Sequence, residues 1–118
     1  MKFLVLYRAP ISAKEQMANA TPEQAKAGMD AWMQWAKKAG GAIVDLGTPL
    51  GNGKSVSASS TGEGNSKIVG YSILQGDSLE SVAALLKEHP HGRIPNFSIE
   101  VFECLAMPGA EKLPSRAA

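Results

Sequence analysis

The sequence predicts an α+β fold in which two helices cover one face of a mainly antiparallel sheet. Strand-like and helical segments follow one another in the order β-α-β-β-β-α-β, and right-handed crossovers place both helices on the same side of such a sheet. The 118 residues match the length of one domain. With no internal repeat or linker, we expect a single domain over residues 1–106 and a frayed tail over residues 107–118.

Five segments predict the strands, because they are rich in β-branched and aromatic residues or alternate in polarity between turn residues. They are residues 2–8, 42–48, 54–59, 68–74 and 98–104. The third carries alternating serines, and the TGEGNS stretch after it is interpreted as a turn. Residues 9–20 have no clear period and are expected to form a loop with no more than a short helical turn.

The first helix begins with a clear start signal. Thr21 is the predicted N-cap, Pro22 takes the first helical position and Gln24 completes a capping box, while a glycine pair at 40–41 ends the helix. Apolar residues recur at helical spacing and are expected to pack on the sheet. They are Ala25, Met29, Trp32, Met33, Trp35 and Ala36.

The second helix is predicted from Asp77, paired with Glu80 in a second capping box, to about Glu88. Its core-facing residues are Leu79, Val82, Ala83 and Leu86. The other face of the sheet is left without a covering layer, yet strands one and four carry apolar residues on both of their faces. An apolar sheet face of that size indicates an interface, so we expect a homodimer whose sheets pack face to face.

Composition excludes several classes of function. The 12 basic and 11 acidic residues are scattered and give a net charge of +1, which offers no basic stripe for nucleic acid. No run approaches the roughly 20 apolar residues of a membrane span, and the N-terminal apolar run is too short for a secretory signal. The single cysteine, Cys104, is interpreted as a buried residue of the last strand and fits a reducing cytoplasm.

The order of several short motifs resembles the YCII-related family, which includes the DGPF-type proteins. These motifs are MKFLVLYR, AGGAIVDLGTPL, IVGYSIL, DSLESVAALLKEHPH and SIEVFEC, and together they span residues 1 to about 106. The resemblance implies a ferredoxin-like subunit that pairs as a dimeric α/β barrel. It also implies a family whose biochemical role is mostly undefined and is often taken to be enzymatic.

The chain departs from that family pattern in two places. The stretch aligned with Asp-Gly-Pro-Phe is approximately TGEGNSK, and residues 22–39 lack the histidine that many members carry in the first helix. No function attached to either feature transfers. The His-Pro-His at 89–91 does match, because it stands where the family has a short proline-containing turn after its second helix.

Both histidines of the chain therefore become candidate catalytic residues. An imidazole has an unperturbed pKa near 6.5, which suits proton transfer at neutral pH. His89 falls near the end of the second helix, where it could instead cap carbonyls and stabilise the fold. His91 lies beyond Pro90 and could project toward the sheet edge, so we expect His91 to matter more for ligand binding and His89 more for stability.

Three further residues complete the candidate site. Arg8 and Tyr7, at the end of strand one, are predicted to bind substrate, with Arg8 holding an anionic group. Asp45 on strand two is a third candidate catalytic group, and Asp45 and Arg8 have the alternative interpretation of solvated strand residues. No cofactor or metal is expected: the GNGKS stretch has Thr48 where a phosphate-binding loop needs glycine, and the two histidines have no clear third ligand.

Two classes of function remain open from the sequence. The first is a cofactor-independent enzyme that performs acid–base chemistry on a small, anionic or aromatic molecule. The second is a noncatalytic binding or accessory module whose histidines are structural. The test that separates them is whether a histidine converges with Arg8 or Asp45 in one concave pocket.

Overall fold

A computed structural model describes residues 1–108 and has the predicted α+β architecture with an antiparallel sheet. The strands are β1 Lys2–Arg8, β2 Ile43–Asp45, β3 Lys54–Val56, β4 Thr61–Glu63, β5 Ile68–Gln75 and β6 Ser98–Glu103. The helices are α1 Ala13–Asn19, α2 Pro22–Ala39 and α3 Leu79–Leu86, with 3-10 turns at Gly40–Ala42 and Pro90–Arg93. Most of the predicted tail, from residue 109 onward, lies outside the described residues.

The main sheet has four strands in the order β2-β5-β1-β6, and every neighbouring pair is antiparallel. Counted within this sheet alone, the chain runs β-α-β-β-α-β, with the first and third strands central. This is the ferredoxin-like arrangement. The central pair β1 and β5 stays in register until a shift between Tyr7 and Arg8.

The segment between β2 and β5 differs from the sequence expectation. The predicted third strand is shorter, and it pairs with β4, which forms within the stretch interpreted as a turn. This exposed hairpin is a separate two-stranded sheet. Alternating serines predict an extended chain, but they cannot identify the strand with which it pairs.

Local capping explains where the helices begin. The Thr21 capping box of α2 is confirmed, with both reciprocal hydrogen bonds to Gln24 present. For α3 the predicted pair was wrong: Ser78 and Ser81 form the capping box, one residue later than expected. Residues 13–19 form a helix rather than a loop, because the Ser12 side chain caps it by accepting a hydrogen bond from the backbone N–H of Glu15.

The core lies between the helices and one face of the sheet. Alternate residues of β1 point into it and are almost fully buried, against Leu74 of β5 and against α2 and α3. These β1 residues are Phe3, Val5 and Tyr7. Only the second half of α2 packs here, through Trp32, Trp35, Ala36 and Ala39.

The first half of α2 corrects the sequence expectation. Residues 22–30 are exposed throughout, so Ala25 and Met29 do not cover the sheet, and Met33 is also half exposed. Helical periodicity identifies an apolar stripe but not the length of stripe that another element covers. Cys104 was also expected to be buried; it lies just beyond β6 and is exposed.

The opposite face of the sheet is not covered by any element of residues 1–108. The register brings Leu4 beside Ile73 and Phe102, and Leu6 beside Tyr71 and Glu100. These side chains are partly buried or exposed, unlike their neighbours on the core face. An open face with apolar side chains is thus present, while its pairing with a second copy stays a prediction.

Candidate functional site: an aromatic cluster around two histidines

Five aromatic side chains meet where the end of β1, the second half of α2 and the segment after α3 come together. The ring of His89 lies 4.3 Å from Trp32, 4.5 Å from Trp35 and 4.9 Å from Tyr7, measured between ring centroids. His91 also packs against Tyr7, at 5.3 Å, and its ring lies 6.5 Å from that of His89. We call these five residues the aromatic–histidine cluster.

His89 is fully buried at the centre of the cluster. Its Nδ1 accepts a hydrogen bond of 3.0 Å from the backbone N–H of His91. Its other ring nitrogen, Nε2, is buried and has no hydrogen-bond partner within residues 1–108. A buried polar atom without a partner costs free energy, commonly about 1–3 kcal/mol, and calls for an explanation.

The hydrogen bond to Nδ1 fixes the tautomer of the neutral ring. Since Nδ1 accepts a hydrogen bond, the single ring proton of a neutral His89 must be on Nε2. Burial, and to a lesser extent the neighbouring His91, lowers the pKa of His89 to about 4. At neutral pH the cluster therefore presents a neutral imidazole whose unpaired N–H is a hydrogen-bond donor.

His91 connects the cluster to the sheet. Its Nε2–H donates to the backbone carbonyl of Arg8 at 2.8 Å, and its ring packs 5.1 Å from Phe97. Burial lowers its pKa below the usual value, while hydrogen bonds to the backbone of Arg8 and Ser98 oppose that shift. His91 is thus buried and anchored rather than projecting from the sheet edge.

These positions contradict the reasons for which the sequence assigned stability to His89 and ligand binding to His91. His89 lies outside α3, which ends at Leu86, and its imidazole accepts from the next turn instead of capping helix carbonyls. His91 has the firm structural contact, and His89 has the unpaired nitrogen. The spacing of His89 from the apolar residues of α3 could not reveal this, because the chain leaves the helix before residue 89.

Tyr7 is held by a chain of hydrogen bonds at the base of the cluster. The Ser72 hydroxyl donates to the backbone carbonyl of Leu46 at 2.6 Å, so Tyr7 Oη–H must donate to Ser72 Oγ, 2.8 Å away. Burial raises the pKa of Tyr7. Tyr7 is therefore a protonated and oriented phenol.

Arg8 and Asp45 do not join this cluster. Alternation along β1 puts the Arg8 side chain on the opposite face, where its Nη1 lies 2.6 Å from Glu100 Oε1. Asp45 accepts a hydrogen bond of 3.1 Å from the Tyr71 hydroxyl. The structure thus brings Tyr7, His89 and His91 together and leaves Arg8 and Asp45 outside; only the backbone of Arg8 reaches the histidines.

Sequence reasoning missed three residues in or beside the cluster. Trp32 and Trp35 were visible as an apolar stripe at helical spacing, which is more often core than site, and no local signal tied them to His89. Ser72 had no signal, because its contact with Tyr7 spans 65 residues. Among residues 1–108, no three His, Cys, Asp or Glu side chains are grouped closely enough to hold a metal ion.

The fold is ferredoxin-like α+β, and the aromatic–histidine cluster lies on the helix-covered face of its sheet. One solved structure with this fold is 5-chloro-2-hydroxyhydroquinone dehydrochlorinase (TftG) from Burkholderia phenoliruptrix AC1100, in complex with 2,5-dihydroxybenzoquinone. The match covers 92% of this chain and 97% of that chain, with a TM-score of 0.54 and 17% sequence identity. At that identity the likeness establishes the fold alone.

No family model matches the sequence, and no curated protein matches it. Within the described residues, no helix is both long and apolar enough to span a membrane.

Proposed function

We propose that this chain is a cofactor-independent enzyme that performs acid–base chemistry on a small aromatic or anionic molecule at the aromatic–histidine cluster. The observation that carries the proposal is the Nε2–H of His89, which is buried among Tyr7, Trp32 and Trp35 and has no hydrogen-bond partner within residues 1–108. An oriented donor in a low-dielectric setting is suited to stabilise negative charge that develops on a substrate oxygen.

A neutral His89 fits that role better than the role of a proton-transferring acid. Its Nδ1 is engaged by the backbone of His91, so the ring donates a hydrogen bond through Nε2 without itself becoming charged. His91, the second titratable imidazole of the cluster, is the proposed proton acceptor through Nδ1, because its Nε2–H already donates to the Arg8 carbonyl. Together they would support enolisation of a carbonyl compound or of a hydroxyquinone, in which a proton moves between carbon and oxygen without a change of oxidation state.

Access to His89 is proposed to run through the position of Trp32. Trp32 is the part-exposed member of the group that encloses His89, and its ring stands perpendicular to the imidazole at 4.3 Å. A planar ligand that displaces this indole would lie against Trp35 and Tyr7. Such apolar walls with one or two oriented polar groups are typical of small-molecule sites.

Proton exchange at carbon tests the enzymatic proposal. We suggest 2,5-dihydroxybenzoquinone as the probe, because a protein of the same fold holds it, and its ring C–H signal can be followed by NMR in D₂O. Catalytic amounts of the protein should accelerate loss of that signal. His89→Asn keeps an acceptor for the His91 N–H but lacks Nε2, and it should lower the acceleration about 100-fold, the usual cost of losing one oxyanion donor.

Met29→Ala is the matched control, since Met29 is exposed on the same helix and lies outside the cluster. It should leave the exchange rate unchanged. Equal rates for the protein and His89→Asn would contradict the role of His89. Binding of the probe without any acceleration would favour the second function, a noncatalytic small-molecule-binding module.

The assembly that we propose is a homodimer through the open face of the sheet. The support is the row of apolar side chains that residues 1–108 leave uncovered there, with Phe102 49% exposed. We also propose that the protein is cytoplasmic and that it is related to the YCII-related family.

A further inference from the structure

A cleft separate from the interior of the cluster opens between the second half of α2 and the segment that follows α3. Its volume is about 230 Å³. Ala31, Trp35 and Lys38 line it from α2, where their spacing puts them on one helix face. Glu88, Pro90 and Arg93 line it from the other side, while His89 does not.

The rim of this cleft has an excess of positive charge. Lys38 Nζ lies 3.3 Å from Glu88 Oε1, whereas Arg93 takes part in none of the ion pairs formed within residues 1–108. An exposed pair such as that of Lys38 and Glu88 contributes little stability, about 0–1 kcal/mol, so Lys38 can turn toward an anion at low cost. Lys38, Glu88 and Arg93 together carry a net charge of +1, which fits a monoanion better than a dianion.

The apolar part of the cleft lining suits a flat ring. Trp35, Pro90 and Ala31 supply an aromatic ring, a pyrrolidine ring and a methyl group. A cavity of about 150 Å³ is enough to hold benzene, so this cleft has room for one ring with a substituent. A guanidinium such as that of Arg93 matches a carboxylate with two parallel hydrogen bonds.

The geometry points to a binding site for a monocyclic aromatic carboxylate in this cleft, with Arg93 holding the carboxylate and Trp35 and Pro90 contacting the ring. The inference goes beyond the proposed function, because it does not require that His89 act on a substrate. In this site Arg93 is the anion-binding arginine beside the cluster. Arg8 cannot take that role, because it lies on the opposite face of the sheet.

Titration with benzoate, followed by ¹H–¹⁵N NMR, tests this site. The Trp35 Nε1–H, which donates to the backbone carbonyl of Leu85 at 3.2 Å, should shift as benzoate is added. Benzyl alcohol has nearly the same shape without the charge and should bind about tenfold more weakly. Arg93→Gln should weaken benzoate binding about tenfold or more, since a charge-assisted hydrogen bond is lost.

Lys26→Gln is the matched control, because Lys26 is an exposed cation of the same helix that pairs with Asp30 outside the cleft. It should bind benzoate like the original protein. Equal affinity for Arg93→Gln, equal binding of benzyl alcohol, or no shift at Trp35 would each overturn the inference. His89→Asn should leave benzoate binding unchanged, so failure of this site and failure of the catalytic proposal give different results.

Discussion

His89 is the residue on which the proposed chemistry depends. Complete burial makes its charged form costly, and the hydrogen bond from the His91 backbone assigns its proton to Nε2. The result is a neutral donor without a partner in the described chain. Since such an arrangement lowers stability, its presence among three aromatic rings favours a functional explanation.

Stability should decrease in acid because of His89. The folded-state pKa is lowered to about 4, below an unfolded value near 6.5. The folded state therefore resists protonation of His89. The contribution of neutral His89 to the free energy of unfolding is fully present above pH 6.5 and is lost as the pH falls from 6.5 toward 4. The loss amounts to roughly 3 kcal/mol, at 1.36 kcal/mol for each pKa unit.

Urea unfolding between pH 7.5 and 4 measures this loss. His89→Asn should remove most of the pH dependence within the window, because no group then titrates at position 89. His91 also has a lowered pKa, so some dependence should persist in that variant. An unchanged slope in His89→Asn would assign the effect to other residues.

At the level of elements, the loop that follows β2 controls how the sheet edge meets the cluster. Gly47 has a φ of +81°, and its backbone N–H donates to Asp45 Oδ1 at 2.9 Å. The next residues stay close to β5, since the Tyr71 N–H donates to the Thr48 carbonyl at 3.4 Å. This path also delivers the Leu46 carbonyl to Ser72, and thereby orients Tyr7.

Gly47→Ala should destabilise the protein by more than about 2 kcal/mol. An added Cβ would overlap the backbone carbonyl of Tyr71, and the positive φ disfavours any L side chain. Gly41→Ala is the matched control, because its Cβ would meet nothing within 4 Å and its φ is not in the positive range. It should change the free energy of unfolding by less than about 1 kcal/mol. Equal effects of the two substitutions in urea denaturation would contradict this account.

Residues 1–108 form a helix layer on a four-stranded sheet with a separate two-stranded hairpin, and they leave the second face of the main sheet uncovered. That face combines apolar residues with two polar pairs, Arg8 with Glu100 and Tyr71 with Asp45. The proposed dimer would bury it against its own copy, with the opposite charges of Arg8 and Glu100 already paired. Packing of two such faces is the economical way to remove their apolar surface from water.

Sedimentation tests the dimer. At micromolar concentration the protein should show about twice the mass of one chain, and Phe102→Glu should shift it to the monomer by placing a charge on the proposed interface. Val56→Glu is the control, because Val56 is an exposed apolar residue of the hairpin, outside the main sheet. It should remain dimeric. A compact monomer at high concentration would refute the proposed dimer.

Local rules within the sequence determined most of the secondary structure. The bounds of β1 were correct, those of β5 and β6 were correct to one residue, and the Thr21 capping box began α2 where expected. These features depend on neighbours within a few positions, which a sequence displays directly. The α+β class follows from the order of those elements.

The tertiary structure alone decided which side chains share a site. Alternation along β1 separates the adjacent residues Tyr7 and Arg8 onto opposite faces, but only long-range pairing assigns one of those faces to the histidines. The contacts that complete the cluster join residues 65 and 83 positions apart. No propensity or spacing encodes such contacts, because they depend on how the helices pack on the sheet. The sequence therefore identified Tyr7, His89 and His91 as candidates, and packing gave His89 its buried, unpaired N–H.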